Sequence, residues 1–344
     1  MIGRHKIDHP VVLSGLLLAL AGLLTVCDFL EPLNWLVYDN ILRHAGSPPP
    51  DDIVIVAIDQ ESLSELGRWP WRRIYHARLL EQLDSSNPKA IGLDIIFAEP
   101  DHRNPKDDQA LASAIARSGK VVLPVIFEQS AAGRPLRETR PLPILSDAAA
   151  ALGHVDTELD ADGVARSAFL HAGLGTPHWP AFALAMATTG SARIPDPLPG
   201  VRAPPAGPAK DQIWRRDHHL LVAFSGPPGH IRQVSFVDVL KGKISPAEFR
   251  DRYVLVGATA AGLGDHIPTP ISARSRPLSG VEFNAQVLHS LLRNIFVSES
   301  GGNTQLAGNL AISLLLSIIY HKLNPRFHPL VLLVGGSAIS LSSY

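Results

Sequence analysis

The chain has 344 residues, of which 46% are hydrophobic, and its formal net charge is −1. A chain of this length and composition has enough apolar material to build the core of one large domain or two ordinary ones. The balanced charge argues against a nucleic-acid partner, because nucleic-acid binding calls for an excess of basic residues. Cys27 is the single cysteine and has no partner within the chain, so cysteine usage does not identify the compartment.

The amino-terminal segment predicts a retained membrane anchor. Arg4 and Lys6 precede an uncharged apolar run, 11–27, which is just long enough to cross a bilayer. A cleaved signal peptide is the alternative, but no small-residue cleavage site follows the run and Asp28 comes at once. Because positive residues favour the cytoplasmic side, we expect residues 1–30 to form a cytoplasmic start and one transmembrane helix.

A linker helix is predicted over residues 32–44, where Leu33, Leu36 and Ile41 lie along one side. The successive prolines within 47–52 end this helix, because each proline removes a backbone donor and pushes its neighbour into extended geometry. The folded domain is therefore expected to begin after these prolines.

A strand, helix and strand follow at the start of this domain. Residues 53–58 and 90–97 are short apolar runs, which is typical of strands that are buried on both faces. Between them, a helix over 73–83 presents apolar residues at spacings of three. The pattern indicates a βαβ unit with two parallel strands.

In such a unit, ligands usually bind at the loops that leave the carboxyl ends of the strands. The candidate binding residues in these loops are Asp59, Arg68, Trp69, Trp71 and Asp94. The alternative is structural: the two tryptophans pin their loop to the helix, and Asp59 accepts hydrogen bonds from its own loop.

The rest of the domain continues the α/β pattern. Further strands are predicted at 121–127, 220–225 and 253–257, and further helices at 107–118, 180–189, 235–241 and 280–293. Residues 194–208 are rich in proline, so they are predicted to form an exposed linker or insertion. We therefore expect an α/β fold with a mixed, mostly parallel sheet covered by helices, plus transmembrane α-helices at both ends.

Alternating acids at 156–162 resemble a calcium-binding loop, since a hard cation needs several oxygens from one tight turn. When Glu158 is counted as the first position, Phe169 stands at the twelfth, where a bidentate glutamate is required. The alternative is a β-turn at 160–163 between two strands. The sequence leaves cation binding by this run open.

A glycine-rich loop at 257–265 follows the predicted strand 253–257. Its first two glycines have the spacing of a phosphate-binding loop, but Leu263 and Gly264 replace the lysine and the hydroxyl residue of that motif. Asp265 and His266 form a second candidate binding patch. The structural alternative is that the glycines only make the turn.

The carboxy-terminal segment predicts two more membrane helices. Residues 304–320 and 329–344 are apolar, and the turn between them carries Lys322 and Arg326, which favour the cytoplasm. Residues 31–303 then lie outside the cytoplasm. The second apolar stretch is expected to be truncated, and an output module is expected to be absent from this chain.

Several of these segments resemble the signatures of one family, the CHASE type-two domain, an extracytoplasmic sensory module of bacterial receptors. The segments are IDQESL (58–63), GRWPW (67–71), GLDIIFAEPD (92–101), GHVDTELDADGVARS (153–167), YVLVGATAAGLGDHIPTP (253–270) and GVEFNAQVLHSLL (280–292). They occur in the right order over roughly residues 35–295. Asn284 stands where the family often has histidine, so the resemblance implies no specific ligand contact on that helix.

The resemblance implies the sensory and membrane part of a bacterial receptor, located in the inner membrane with its sensory domain in the periplasm. Such a receptor passes an extracytoplasmic signal to a cytoplasmic nucleotide cyclase, diguanylate cyclase or kinase. The expected partners are an unknown extracytoplasmic ligand or protein, membrane lipid and a second copy of the chain. No nucleic acid, cofactor or metal is expected. A small polar or anionic ligand is expected near the candidate residues, with a cationic ligand or a metal as the rival.

Two other functions stay open. A membrane-anchored periplasmic enzyme would depend on Asp59, Asp94 and Asp265, because the chain has none of the common hydrolase or zinc motifs. A scaffold subunit that recruits a partner through its membrane helices is the other alternative. The chain is predicted not to be an enzyme.

Overall fold

The computed structural model describes residues 31–44, 47–128, 137–203, 213–264, 266–272 and 276–297, together with isolated positions between 307 and 318. Residues 46–297 form one compact unit, and residues 1–45 and 298–344 form another. The helices are α1 (Glu31–His44), α2 (Gln60–Leu66), α3 (Arg73–Asp84), α4 (Lys106–Ser118), α5 (Pro143–Ala148), α6 (Phe182–Thr189), α7 (Phe236–Leu240) and α8 (Gly280–Arg293). A 3₁₀ turn covers Pro246–Glu248.

A seven-stranded sheet is the centre of the larger unit. Its strands are β1 (Ile53–Ile58), β2 (Ala90–Asp94), β3 (Val121–Glu128), β4 (Arg137–Thr139), β5 (Ala151–His154), β9 (Gln233–Ser235) and β10 (Tyr253–Ala258). Six of them are parallel in the order β9–β1–β10–β2–β3–β5, and β4 pairs antiparallel with the end of β3. The predicted mostly parallel sheet is therefore confirmed, and β1 and β10 are direct neighbours.

The two faces of this sheet are covered by different helices. On one face, Val54, Val56 and Leu93 belong to a core that they share with apolar residues of α3, α4 and α7. On the other face, Gly92 lies against Phe182 and Met186 of α6. Because side chains alternate along a strand, neighbouring residues of β2 enter opposite cores.

A second, smaller sheet stands beside the first. It contains β6 (Ser167–Leu174), β7 (Trp179–Pro180) and β8 (Trp214–Leu221), paired antiparallel in the order β7–β6–β8. The strand predicted at 220–225 is therefore misplaced, because the real strand begins at Trp214. Its sequence, WRRDHHLL, is mostly polar and half-buried, so the apolar pattern that marks a strand is missing. A third pair joins β11 (His266–Ile267) to β12 (Leu278–Ser279).

Helix α8 runs from one end of the central sheet to the other. Its first turn lies at the carboxyl end, where Val281 packs against Gly257 of β10. At its last residue, Arg293 forms a 3.6 Å ion pair with Asp52, which precedes β1 at the amino end of the sheet. The helix has 14 residues and is thus about 21 Å long. Asp52, close to where the chain enters this unit, and Arg293, close to where it leaves, therefore both lie at the amino end of the sheet.

The predicted membrane helices fall mostly on residues that the structure does not describe. Segments 11–27 and 329–344 lie outside the described residues, and within 304–320 only isolated helical positions are described. Among the described residues, no helix has both the length and the apolar character that a bilayer crossing requires.

Candidate functional site

A cleft of about 470 Å³ opens at the carboxyl ends of β2, β3 and β5, on the face of the sheet that carries α8. It is lined by Asp94, Ile126, Phe127, Val155, Asp156, Thr157, Leu159, His266, Ile267, Gly280 and Asn284. A cleft at this end of a parallel sheet has the usual position and size of a ligand site in an α/β protein. Two of the candidates from the sequence, Asp94 and His266, meet in it.

Asp94 and Asn284 form the floor of the cleft. Asp94 is the last residue of β2, and its Oδ2 accepts a 3.0 Å hydrogen bond from Nδ2 of Asn284 on α8. Since an ionised carboxylate only accepts hydrogen bonds, the amide must present its nitrogen to Asp94. The carbonyl oxygen of Asn284 consequently remains as an acceptor.

Asp156 forms one wall, and two residues of β8 hold it in place. Its carboxylate accepts from Nε1 of Trp214 at 2.8 Å and from Nε of Arg216 at 2.6 Å. Burial alone would raise the pKa of Asp156, but the hydrogen bonds and charge of Arg216, together with Trp214, outweigh burial and lower it. Asp156 is therefore a fixed anion.

Phe127 supplies the aromatic part of the wall. Its ring stacks on Trp214, with a distance of 4.8 Å between ring centroids and an interplanar angle of 18°. The indole that orients Asp156 thus also supports Phe127 from behind. The small sheet therefore shapes a cleft whose floor belongs to the large sheet.

The start of α8 forms the rim beside His266, which is exposed in β11. Ser279 and Glu282 make a reciprocal capping box at this helix terminus. Glu282 also accepts from the backbone N–H of Gly229 at 2.8 Å and from Nε2 of Gln233 at 2.7 Å. Asp265, the neighbouring candidate, lies outside the described residues.

The other candidates lie away from the lining of this cleft. Trp71 is 3% exposed and donates from Nε1 to the carbonyl oxygen of Gly67 at 2.8 Å. Trp69 packs on Trp71 with ring centroids 5.1 Å apart, and Arg68 is exposed. Asp59 caps α2, accepting from the backbone N–H of Ser62 at 2.8 Å. The loop therefore has the geometry of the structural alternative, in which the two tryptophans pack and Asp59 accepts hydrogen bonds from its own loop.

The tryptophans surround a buried histidine, His76 of α3. Its ring lies 5.8 Å from the ring centroid of Trp69, 5.3 Å from that of Phe97 and 5.5 Å from that of Phe236. His76 is fully buried, and neither ring nitrogen has a hydrogen-bond partner among the residues that the structure describes. Burial, reinforced by the charge of Arg73, lowers its pKa to about 3, so the ring is neutral.

The acidic run 156–162 is engaged by two arginines. Arg216 binds Glu158 at 2.7 Å in addition to Asp156. Arg166, whose side chain is 2% exposed, binds Asp160 at 2.7 Å and Asp162 at 2.8 Å. The backbone N–H of Gly163 donates to the carbonyl oxygen of Asp160 at 2.8 Å, so the predicted β-turn is present. Within the described part of the chain, no group of three or more potential metal ligands comes together.

Sequence reasoning missed the residues that complete the cleft: Phe127, Thr157, Trp214 and Arg216. Trp214 and Arg216 come from a polar strand that has no apolar pattern, and Phe127 looked like an ordinary strand residue. The available signal was the excess of acids at 156–162, which requires cationic partners elsewhere in the fold.

The family model of the CHASE2 domain matches residues 13–320 of the chain. No curated protein and no solved structure matches the chain significantly. The match covers most of the sequence and includes the cleft, the α8 helix and the aromatic cluster around His76. The chain belongs to the CHASE2 domain family, whose members are extracytoplasmic sensory domains.

Proposed function

We propose that this chain is the sensory and membrane portion of a bacterial transmembrane receptor, and that the cleft between Asp94, Asp156 and Asn284 is its ligand site. In this proposal, residues 31–303 lie in the periplasm, the apolar segments cross the inner membrane, and two copies associate. A cytoplasmic output domain, either a nucleotide or diguanylate cyclase or a kinase, receives the signal.

The observation that carries the proposal is the course of α8. Asn284, near the start of the helix, lies in the cleft, and Arg293, at its end, pairs with Asp52 at the chain exits. A helix moves as a rigid element, so a ligand that prefers one position of its first turn also shifts its last turn. Ligand binding would thereby change the relative position of the two segments that leave the domain.

Topology is the first part to test. Alkaline phosphatase, which folds only outside the cytoplasm, is fused after Val297 or after Leu323. We expect activity from the first fusion and none from the second, because Lys322 and Arg326 favour the cytoplasm. An active second fusion with an inactive first fusion contradicts the proposed orientation.

The ligand site is tested by filling the cleft in the complete receptor. Leu159 lines the cleft and is 51% exposed, so Leu159→Trp blocks it with little cost to the core. Ile144 of α5 is 43% exposed and lies outside the cleft lining, which makes Ile144→Trp the matched control. Cyclic nucleotide, cyclic dinucleotide and protein phosphorylation levels are compared in cells. We expect Leu159→Trp to change the output and Ile144→Trp to leave it unchanged; identical outputs contradict a ligand role for the cleft.

A further inference from the structure

The end of α8 carries a buried histidine next to the ion pair that joins this helix to the start of β1. His289 is 6% exposed, and its Nδ1 has no hydrogen-bond partner among the residues that the structure describes. Arg293 follows four residues later, so the two side chains are neighbours on the helix surface. Because histidine changes its charge near neutral pH, the charge of this part of α8 depends on whether His289 binds a proton.

The ion pair between Arg293 and Asp52 is a loose contact. Nη2 of Arg293 lies 3.6 Å from Oδ1 of Asp52, which is longer than a hydrogen bond. This Oδ1 atom is buried, and no described residue donates a hydrogen bond to it. A buried carboxylate oxygen without a donor is unfavourable, so Asp52 would gain from a second N–H donor. We call Asp52, His289 and Arg293 the exit junction.

The charged groups around His289 keep it neutral at neutral pH. Burial has the largest effect and lowers its pKa below 6.5, and the charges of Arg293 and of His230, which precedes β9, act in the same direction. Asp52 opposes them and favours the charged ring. Strand β1 and helix α6, which also pack against α8, contain no titratable side chain. Strand β10 contributes Tyr253, whose pKa is raised by burial and by Asp52, so it stays uncharged.

Protonation of His289 changes both contacts of the exit junction. The imidazolium is a second cation for Asp52, and it places a like charge one helical turn from Arg293. The side chain of Arg293 is 48% exposed, so it can move into solvent at little cost. Asp52 then exchanges Arg293 for His289, and the last turn of α8 takes a different position relative to the start of β1.

We propose that the exit junction is a proton-binding regulatory site, through which a fall in pH outside the cytoplasm shifts the last turn of α8 and changes the output of the receptor. This inference rests on the proposed function, because it adds a second input to the helix that carries the ligand signal. It assigns His289 as the proton acceptor and Asp52 as the carboxylate that changes partner.

Direct titration is the first test. The full chain, with isotope-labelled histidine, is purified in a neutral detergent, and NMR follows the imidazole signals between about pH 8 and about pH 4. His289→Gln identifies the signal of His289, which we expect to titrate below 6.5. Asp52→Asn should lower the midpoint further, because it removes an attracting charge, and Arg293→Gln should raise it. Asp147→Asn, which removes an exposed carboxylate of α5, is the control and should leave it unchanged.

The output of the complete receptor is the second test. Cyclic nucleotide, cyclic dinucleotide and protein phosphorylation levels are compared in cells at about pH 7.5 and about pH 5.5. We expect the wild-type output to differ between these values and the difference to be lost in His289→Gln. Asp52→Asn, at a side chain that is 29% exposed, should also lose it and keeps the inference testable if His289→Gln fails to fold. His171→Gln is the matched control and should retain the difference, because His171 is a half-buried histidine of β6 whose pKa is also lowered by burial.

Three results would overturn the inference. They are titration of His289 at or above 6.5, a midpoint that Asp52→Asn and Arg293→Gln shift no more than Asp147→Asn does, and an output that is independent of pH or that keeps its pH dependence in His289→Gln. If Leu159→Trp still changes the output in any of these cases, the proposed function stands while proton sensing by the exit junction is wrong.

Discussion

At the carboxyl end of the central sheet, one face is closed by packed aromatic side chains and the other face opens into a cleft. On one face, Trp69 and Trp71 close over His76, and Trp71 is 3% exposed. On the other face, Asp94 and Asn284 line a cleft of about 470 Å³. Leu93 and Asp94 are adjacent in β2, yet Leu93 belongs to the apolar core and Asp94 to the cleft.

This difference shows that a strand's carboxyl end does not by itself make a binding site. Where large rings pack together, as around His76, the indole donor of Trp71 is used internally, by the carbonyl oxygen of Gly67. Where half-buried Phe127 and Asp156 line the space together with Asp94 and Asn284, a cleft remains open. The size of the side chains between sheet and helix therefore decides which loops leave a cleft and which only pack.

The largest expected effect is a loss of stability when the packing around His76 is disrupted. Trp71→Ala should lower the free energy of unfolding by about 3–5 kcal/mol, because it removes a buried ring and leaves a cavity. The measurement is urea denaturation of the full chain in detergent. Trp69→Ala, at a half-buried position, should cost less. Equal small losses from both variants would contradict the packing role of Trp71.

The free energy of unfolding is expected to depend on pH through His76, on the same face of the sheet. Its pKa is about 3 in the folded chain, whereas a histidine exposed to water in the unfolded chain has its ordinary pKa of 6.5, so between these values only the unfolded chain binds the proton. Stability is therefore lost as the pH falls below 6.5, by at most about 1.4 kcal/mol per pH unit and about 2 kcal/mol by pH 5.

His76→Phe removes this loss while retaining an aromatic ring. Unfolding free energies of the wild type and the variant are compared between pH 7 and pH 5. His154, whose pKa burial lowers to about 4, contributes to both proteins and cancels in the difference. Parallel pH profiles would contradict the assignment of the acid sensitivity to His76.

A smaller effect is expected where α8 meets the sheet. At Gly257, a Cβ atom would lie 2.7 Å from Cβ of Val281 and 3.3 Å from Cβ of Asp94. Gly257→Ala should thus cost about 1–3 kcal/mol, since it forces the first turn of α8 away from β10. Gly280→Ala is the control, because no neighbouring atom lies within 4 Å of its added Cβ. Equal stability of the two variants would contradict the close contact.

The smallest effect on stability is expected in the cleft itself. Asp94→Asn keeps the shape of a side chain that lines the cleft, so the free energy of unfolding should change less than in Trp71→Ala. Urea denaturation beside Trp71→Ala gives a direct comparison of the two faces. A loss as large as that of Trp71→Ala would mean that Asp94 is a structural residue.

Much of the central sheet was predictable because its strands are buried on both faces and read as continuous apolar runs. The predicted strand 53–58 and helix 280–293 have the observed bounds, and the helix predicted at 107–118 begins one residue earlier. The small sheet was not predictable, because β8 is a polar strand whose charges are neutralised only across the fold. Helix α2 was missed because its seven residues are too few for a periodic pattern.

The sequence by itself determined the alternation of strands and helices and the turn after Asp160, since each depends on residues close in the chain. Only the tertiary structure decided which candidate binding residues lie in the same cleft. Asp94 and Asn284 are 190 residues apart, and Arg216 lies 60 residues from Asp156. Such pairs form through strand order and helix packing, which local sequence patterns do not encode. For the same reason, Asp94 joined the cleft while Trp71 became part of the core.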